Sequence, residues 1–116
     1  MNKYKPPFRR RRKLMWELIV IQEGHCFYCD RTVTVPQDDT FSRLNATLDH
    51  KIPQHLGGKW TLANLVVACW DCNHKKAGWV LPDELFNDRK QMQHLFKSGK
   101  IKHYMRDYAA ASQTAA

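Results

Sequence analysis

The sequence predicts a small α+β fold, pinned together in its middle by a bound metal and flanked by helices. Three observations predict it. Cysteines occur as two close pairs, Cys26 and Cys29 in "CFYC", and Cys69 and Cys72 in "CWDC". The stretches "TVTV" (32–35), "ATLDHKI" (46–52) and "NLVVAC" (64–69) are short, and alternating, β-branched or uniformly apolar, as strands are. Apolar residues at helical spacing bracket this region on both sides.

Residues 9–23 come first. Leu14, Met15, Leu18, Ile19 and Gln22 repeat at helical intervals, and Gly24 supplies a stop. Arg9, Arg10, Arg11 and Arg12 fall in the opening turn, where cations oppose the helix dipole, so an external anion is an attractive partner for them. Residues 25–80 hold the three strand candidates. "PQDDTFSRLN" (36–45) reads as a loop, and Pro53 with Gly57 and Gly58 marks a second loop. "NHKKAGW" after Cys72 fits a short helix. From 82 to 105 the pattern is helical again, with Leu85, Phe86, Met92, Leu95 and Phe96 on one side and Pro82 at the start. Ser98 and Gly99 are a candidate break. The tail 109–116 has nothing to pack and is expected to fray.

The 116 residues suit one domain, 1–116, with its core at 25–79. Apolar residues make up 43% of the chain, enough for a modest core that a metal would help to hold. The formal net charge of +8 and a pI near 9.5 favour a polyanionic partner, nucleic acid before membrane. Glu17 interrupts the apolar run near the N-terminus and no small-residue cleavage site follows, which argues against a signal peptide. No stretch approaches the roughly 20 apolar residues of a bilayer span. A cytoplasmic location follows as the expectation, and there thiols stay reduced. Each CxxC can then chelate one ion from a tight turn, and four thiolates make a closed structural zinc site with no open position for catalysis. A redox-active CxxC is the competing reading, and it leaves the rest of the polar pattern unexplained.

That pattern is "LDHKIPQHLGG" followed by "NLVVACWDCNHKK". A CxxC, then Asp-His, Pro, Gly-Gly, an Asn and finally CxxC-Asn, in this order, resembles the HNH or ββα-metal nuclease family over about residues 25–79. The resemblance implies a treble-clef-like ββα core and a metal-dependent DNA endonuclease. It implies that His50 is the general base. Asp49 and Asn73 would hold a divalent cation such as Mg²⁺, and Asn64 would brace the loop that positions His50. The last motif position is Asn73 instead of His, an HNN variant, with His74 as the alternative. Lys51, Lys59, Lys75 and Lys76 would meet the DNA backbone together with Arg9–Arg12. The chemistry agrees. Phosphodiester hydrolysis needs an activated water and a cation over developing charge, a neutral imidazole accepts protons near pH 7, and hard oxygens suit Mg²⁺.

Small HNH proteins of this kind resemble those of phages and mobile elements. A homodimer, or a packaging or restriction partner protein, is therefore a candidate alongside DNA, and double-strand cleavage would need a dimer or a second cutting event. The alternative function is a catalytically silent, zinc-stabilised nucleic-acid-binding module. Trp60, Trp70 and Trp79 are expected to pack in the core, Phe27 and Tyr28 to lie under the zinc, and His25 and His55 to have no catalytic part.

Overall fold

The computed structural model describes residues 4–36, 38 and 40–105. Its centre is a two-stranded antiparallel hairpin, β1 (Ala46–His50) against β2 (Leu65–Cys69), in the register Ala46 opposite Cys69 and His50 opposite Leu65. Helix α1 (Phe8–Ile21) precedes the hairpin and α2 (Trp70–Lys76) leaves β2 directly. Helices α3 (Asp83–Phe86) and α4 (Arg89–Ser98) follow, then a 3-10 turn at Lys100–His103. The sequence β1–β2–α2 is the ββα unit, and the fold is α+β.

All five residues of β2 are buried, which is why its sequence is an unbroken apolar run. Side chains alternate across the strand. Leu65 and Val67 meet Leu14 and Leu18 of α1. Val66 and Ala68 face the opposite way, into a larger cluster with Phe27, Tyr28, Phe86, Met92 and Leu95. Layers on both sides of one hairpin thus make two small cores.

Gln22 closes α1 onto this hairpin. Its buried amide donates to the Val67 carbonyl at 2.9 Å and accepts from the Val67 N–H at 2.8 Å. The outer edge of β2 is satisfied by this side chain and by the Phe27 N–H, which donates to the same carbonyl. The chain then turns through Glu23 and Gly24, both at positive φ.

Several elements differ from expectation. The segment 32–35 makes only isolated bridges, Thr32 to His25 and Thr34 to Asn45, because no continuous partner strand lies beside it. Helix α2 begins at Trp70, ahead of the expected start. The Cys69 side chain caps it by accepting from the Cys72 N–H, so the second CxxC is itself the first turn. The C-terminal helical region breaks at Gly99, whose φ is +78°, and again at Asp88, which caps α4 through the Gln91 N–H. Pro82 is the N-cap of α3, one position before the first turn. The tail 109–116 lies outside the described residues. No described helix is long and apolar enough to cross a membrane.

Candidate active site and metal centre

The four cysteines converge. Cys26 and Cys29 lie on the turn after α1, Cys69 ends β2 and Cys72 sits in α2, and their sulfurs all lie within 4.8 Å of one another. All are reduced, and Cys29 Sγ is 3.9 Å from Cys69 Sγ. Four sulfurs about 2.3 Å from a central ion stand about 3.8 Å apart by tetrahedral geometry, so the spacing fits a closed structural metal site such as zinc. Electrostatics fits as well. Hydrogen bonding with Cys29 pushes the Cys26 thiol up to about 11, and hydrogen bonds from Cys26 and Cys72 pull the Cys29 thiol down. Hydrogen bonds with Cys26 and Cys29, with burial, push Cys72 up. The thiols compete for protons because so many negative sulfurs cannot coexist without a cation.

Arg31 adds to this centre, and the sequence reading missed it. Its Nε donates to Cys29 Sγ at 3.1 Å and its terminal nitrogen to Asp71 at 3.2 Å, with Cys69 Sγ at 3.5 Å. Such N–H···S contacts orient metal ligands from outside. The available signal was an arginine two residues after a CxxC.

The second cluster forms where β1 ends. His50, Asp49, Asn73 and Lys76 line one cleft of about 200 Å³, together with Pro53 and His55. Neighbouring strand residues point oppositely. Asp49 faces the larger core, opposite Val66, while the His50 ring faces the α1 side, meeting the Trp60 ring edge to face at 4.5 Å. His50 Nε2 is buried with no hydrogen-bond partner. Burial lowers the His50 pKa, the Lys76 ammonium lowers it further and Asp49 opposes.

Asn64 braces the loop after His50. Its Oδ1 accepts from the Ile52 N–H at 2.9 Å, and its Nδ2 donates to the Lys59 carbonyl at 3.0 Å and the Ile52 carbonyl at 3.2 Å. This closeness explains the second glycine of "GG". A Cβ on Gly58 would lie 1.8 Å from the Ile52 carbonyl oxygen and 2.9 Å from Asn64 Nδ2. Gly57 sits at φ +92° and is needed for its backbone.

Asn73 Nδ2 donates to Thr47 Oγ1 at 2.9 Å, which fixes the amide so that its oxygen is the free end. His74 instead stacks on Trp70 at 4.7 Å and lines a different cavity. Asn73, and not His74, thus shares the cleft with His50.

Asp49 and Lys76 depart most from the sequence reading. Lys76, expected against a DNA backbone, is only 1% exposed. Its Nζ donates to Asp49 Oδ1 at 3.1 Å, lies 3.0 Å from Oδ2, and donates to the His50 carbonyl at 3.0 Å. Tyr28 donates its hydroxyl to Asp49 Oδ2. Burial, then the Asp49 charge, raise the Tyr28 pKa, so the phenol keeps its proton. Burying a carboxylate requires such compensation, which is the reason the lysine turns inward. The remaining cations are outside. Arg9, Arg10, Arg12, Lys59 and Lys75 are exposed; Arg11 is half-buried, with Nε donating to the Pro6 carbonyl, and Lys51 lies over the Phe86 ring. Trp60 and Trp70 are half-buried and Trp79 is exposed, so none is a full core residue.

The HNH endonuclease family model matches residues 26–78. This segment belongs to the HNH family. The matched stretch runs from the first zinc-type cysteine to the second residue after α2, so it contains both cysteine pairs, the ββα unit and the whole cleft. No curated protein and no solved structure gives a significant match to the chain. The HNH assignment implies nuclease-type chemistry on a nucleic acid and a use for divalent metal.

The Asp49 and Asn73 oxygens bear on that divalent ion. A carboxylate and an amide oxygen are the hard donors that Mg²⁺ takes, and here the Asp49 carboxylate is buried with its oxygens held by Lys76 and Tyr28. Asp49 already holds one positive charge, the Lys76 ammonium. The donor set therefore suits a positive charge at this point, and in this structure Lys76 supplies it.

Removing Lys76 should destabilise the HNH core. Lys76→Met leaves Asp49 buried with only the Tyr28 hydroxyl, and breaking such a pair costs about 3–5 kcal/mol. A melting temperature lower by more than about 10 °C is expected for a domain of this size. Lys75→Met, one residue away and exposed, should change stability by less than about 0.5 kcal/mol. Equal melting temperatures for the two variants would show that the Asp49–Lys76 pair is not a structural element.

Proposed function

We propose that the chain is a metal-dependent DNA endonuclease in which His50 accepts a proton from the water that attacks the scissile phosphate. The observation that carries this reading is the convergence of His50, Asp49 and Asn73 on one cleft beside the four-cysteine centre. His50 is suited to the task. Its lowered pKa keeps the ring neutral at physiological pH. Among the described residues its ring makes no hydrogen bond that would tie up the proton-accepting nitrogen, and Nε2 is buried without a partner. Trp60 holds the ring plane from one side, and Lys76 and Asn64 hold the backbone from the other.

Asp49 and Asn73 would hold a divalent cation, which when bound stabilises negative charge on the phosphate and the departing oxygen. Lys59 and Lys75, with Arg9, Arg10 and Arg12 of α1, are exposed cations available to neighbouring phosphates. The four-cysteine centre is assigned a structural role, because a closed thiolate set leaves no position for substrate.

The test is a supercoiled plasmid incubated with the zinc-loaded protein, with and without added Mg²⁺. Relaxed or linear product should appear only with Mg²⁺, and product-end mapping should show 5′ phosphates, since the leaving group is the 3′ oxygen. A preparation that binds the plasmid yet leaves it supercoiled at every Mg²⁺ concentration would identify a silent nucleic-acid-binding module.

A further inference from the structure

A second cavity, on the α1 side of the hairpin, has no part in the steps above. It measures about 270 Å³ and lies between α1, β1 and Trp60. Phe8, Trp16 and Trp60 supply aromatic walls, while Lys5, Arg11 and Arg12 supply charge, and no lining residue is acidic. Phe8 is 66% exposed and Trp16 43% exposed, so two large rings stand in water at the mouth. The Arg11 guanidinium lies 5.8 Å from the Phe8 ring centre.

This cavity adjoins the catalytic cleft. Leu48 lines both. Trp60, a wall of the cavity, is the residue against which the His50 ring rests. Whatever enters the cavity therefore sits across Trp60 from the His50 ring.

We propose that this cavity receives an unstacked nucleobase of the strand being cut, adjacent to the scissile phosphate, so that the preferred substrate is DNA unpaired at the cut and not intact duplex. The location next to a scissile phosphate rests on the nuclease reading; binding of the base does not. Aromatic faces stack on any base, and a basic surround follows the flanking phosphates. Three cations with no acid complement a polyanion, whereas a groove for an uncharged protein segment has no use for them. A base inside a duplex must first leave its stack and its partner, so a strand already unpaired there binds with that cost removed.

The experiment is fluorescence anisotropy with the full zinc-loaded chain and no added Mg²⁺, the DNA being checked afterwards for intact length. One labelled oligonucleotide is presented as a single strand, as a blunt duplex, as a duplex with one unpaired nucleotide, and as that duplex with the unpaired nucleotide abasic. The single strand and the unpaired nucleotide should bind about tenfold tighter than the blunt duplex, the scale of one base–aromatic stack, and the abasic form should lose the preference. Trp16→Ala should remove the preference and leave blunt-duplex binding unchanged, with zinc content and melting temperature unaltered. Phe8→Ala, at a still more exposed position, serves should Trp16→Ala fold poorly. Equal affinity for all four DNAs, or an equal loss on all of them in the variant, would overturn the proposal and leave a basic surface reading phosphates alone. The two readings fail separately. Plasmid cut without any preference removes the cavity proposal, and preference without cutting removes the nuclease.

Discussion

Cys72→Ser should yield a chain without its metal and without its fold. Cys72 is buried in the first turn of α2, and its sulfur is one of four within 4.8 Å. The ion it helps to hold ties the turn after α1 to the junction of β2 and α2, two segments far apart in the chain. Binding at a structural zinc site is worth about 10–16 kcal/mol, which matches or exceeds the ~5–15 kcal/mol by which whole domains are stable. Elemental analysis should find one zinc per wild-type chain and none in the variant, and the variant's circular dichroism should lose its cooperative melt. Removing zinc from the wild type with a strong chelator should produce the same unfolded state. A zinc-free wild-type preparation that still melts cooperatively would show that the sulfurs are mere neighbours.

His50→Ala should leave a folded, zinc-loaded, DNA-binding protein that no longer cuts. Loss of a general base typically costs ~10²–10⁴ in rate. The substitution removes a half-buried ring that makes no hydrogen bond of its own, so the fold should bear it. Single-turnover cleavage across pH separates the base from a structural role. The active form is the neutral ring, and burial together with Lys76 lowers its pKa from the ordinary 6.5. The wild-type rate should therefore hold through neutrality and fall only on acidification below that ordinary value. In His50→Ala this acid limb should vanish, and the residual rate should rise with pH as hydroxide replaces the missing base. A variant that cuts at the wild-type rate at neutral pH would rule out the mechanism.

Much of the centre was legible in the sequence because its signals are local. Two residues between cysteines let both sulfurs face one ion, whatever the rest of the chain does, and the ordered spacing of Asp49, His50, Asn64 and Asn73 between those pairs carried the resemblance to HNH nucleases. The uniform apolar run marked β2 as a strand, and the structure adds that all five of its residues are buried. The glycine pair marked a loop, and the structure adds that Gly58 lies tight against Ile52. The bridges at 32–35 were misread as a strand because β propensity describes a residue's fit to a sheet and not the presence of a partner.

Other features depended on which face a side chain took and on what lay across from it. Sequence could not choose between Asn73 and His74; one turn of α2, started early by the Cys69 cap, aims the first at Thr47 and the cleft and lays the second on Trp70. Nor could it tell Lys75 from Lys76, neighbours of the same type. The second falls on the inward side of α2, where the buried carboxylate of Asp49 draws it in. Tyr28 looked like packing beneath the metal, and its ring does pack there, but its hydroxyl reaches Asp49 from the far side of the core. Trp60 looked like a core residue until the loop braced by Asn64 brought it against His50. The sequence by itself determined the metal-binding sulfurs, set by residue type at short spacing, and through the HNH resemblance it named the candidate catalytic residues. The tertiary structure alone decided which of these groups are free to act and which hold one another, because desolvation and pairing depend on neighbours that are distant in the chain.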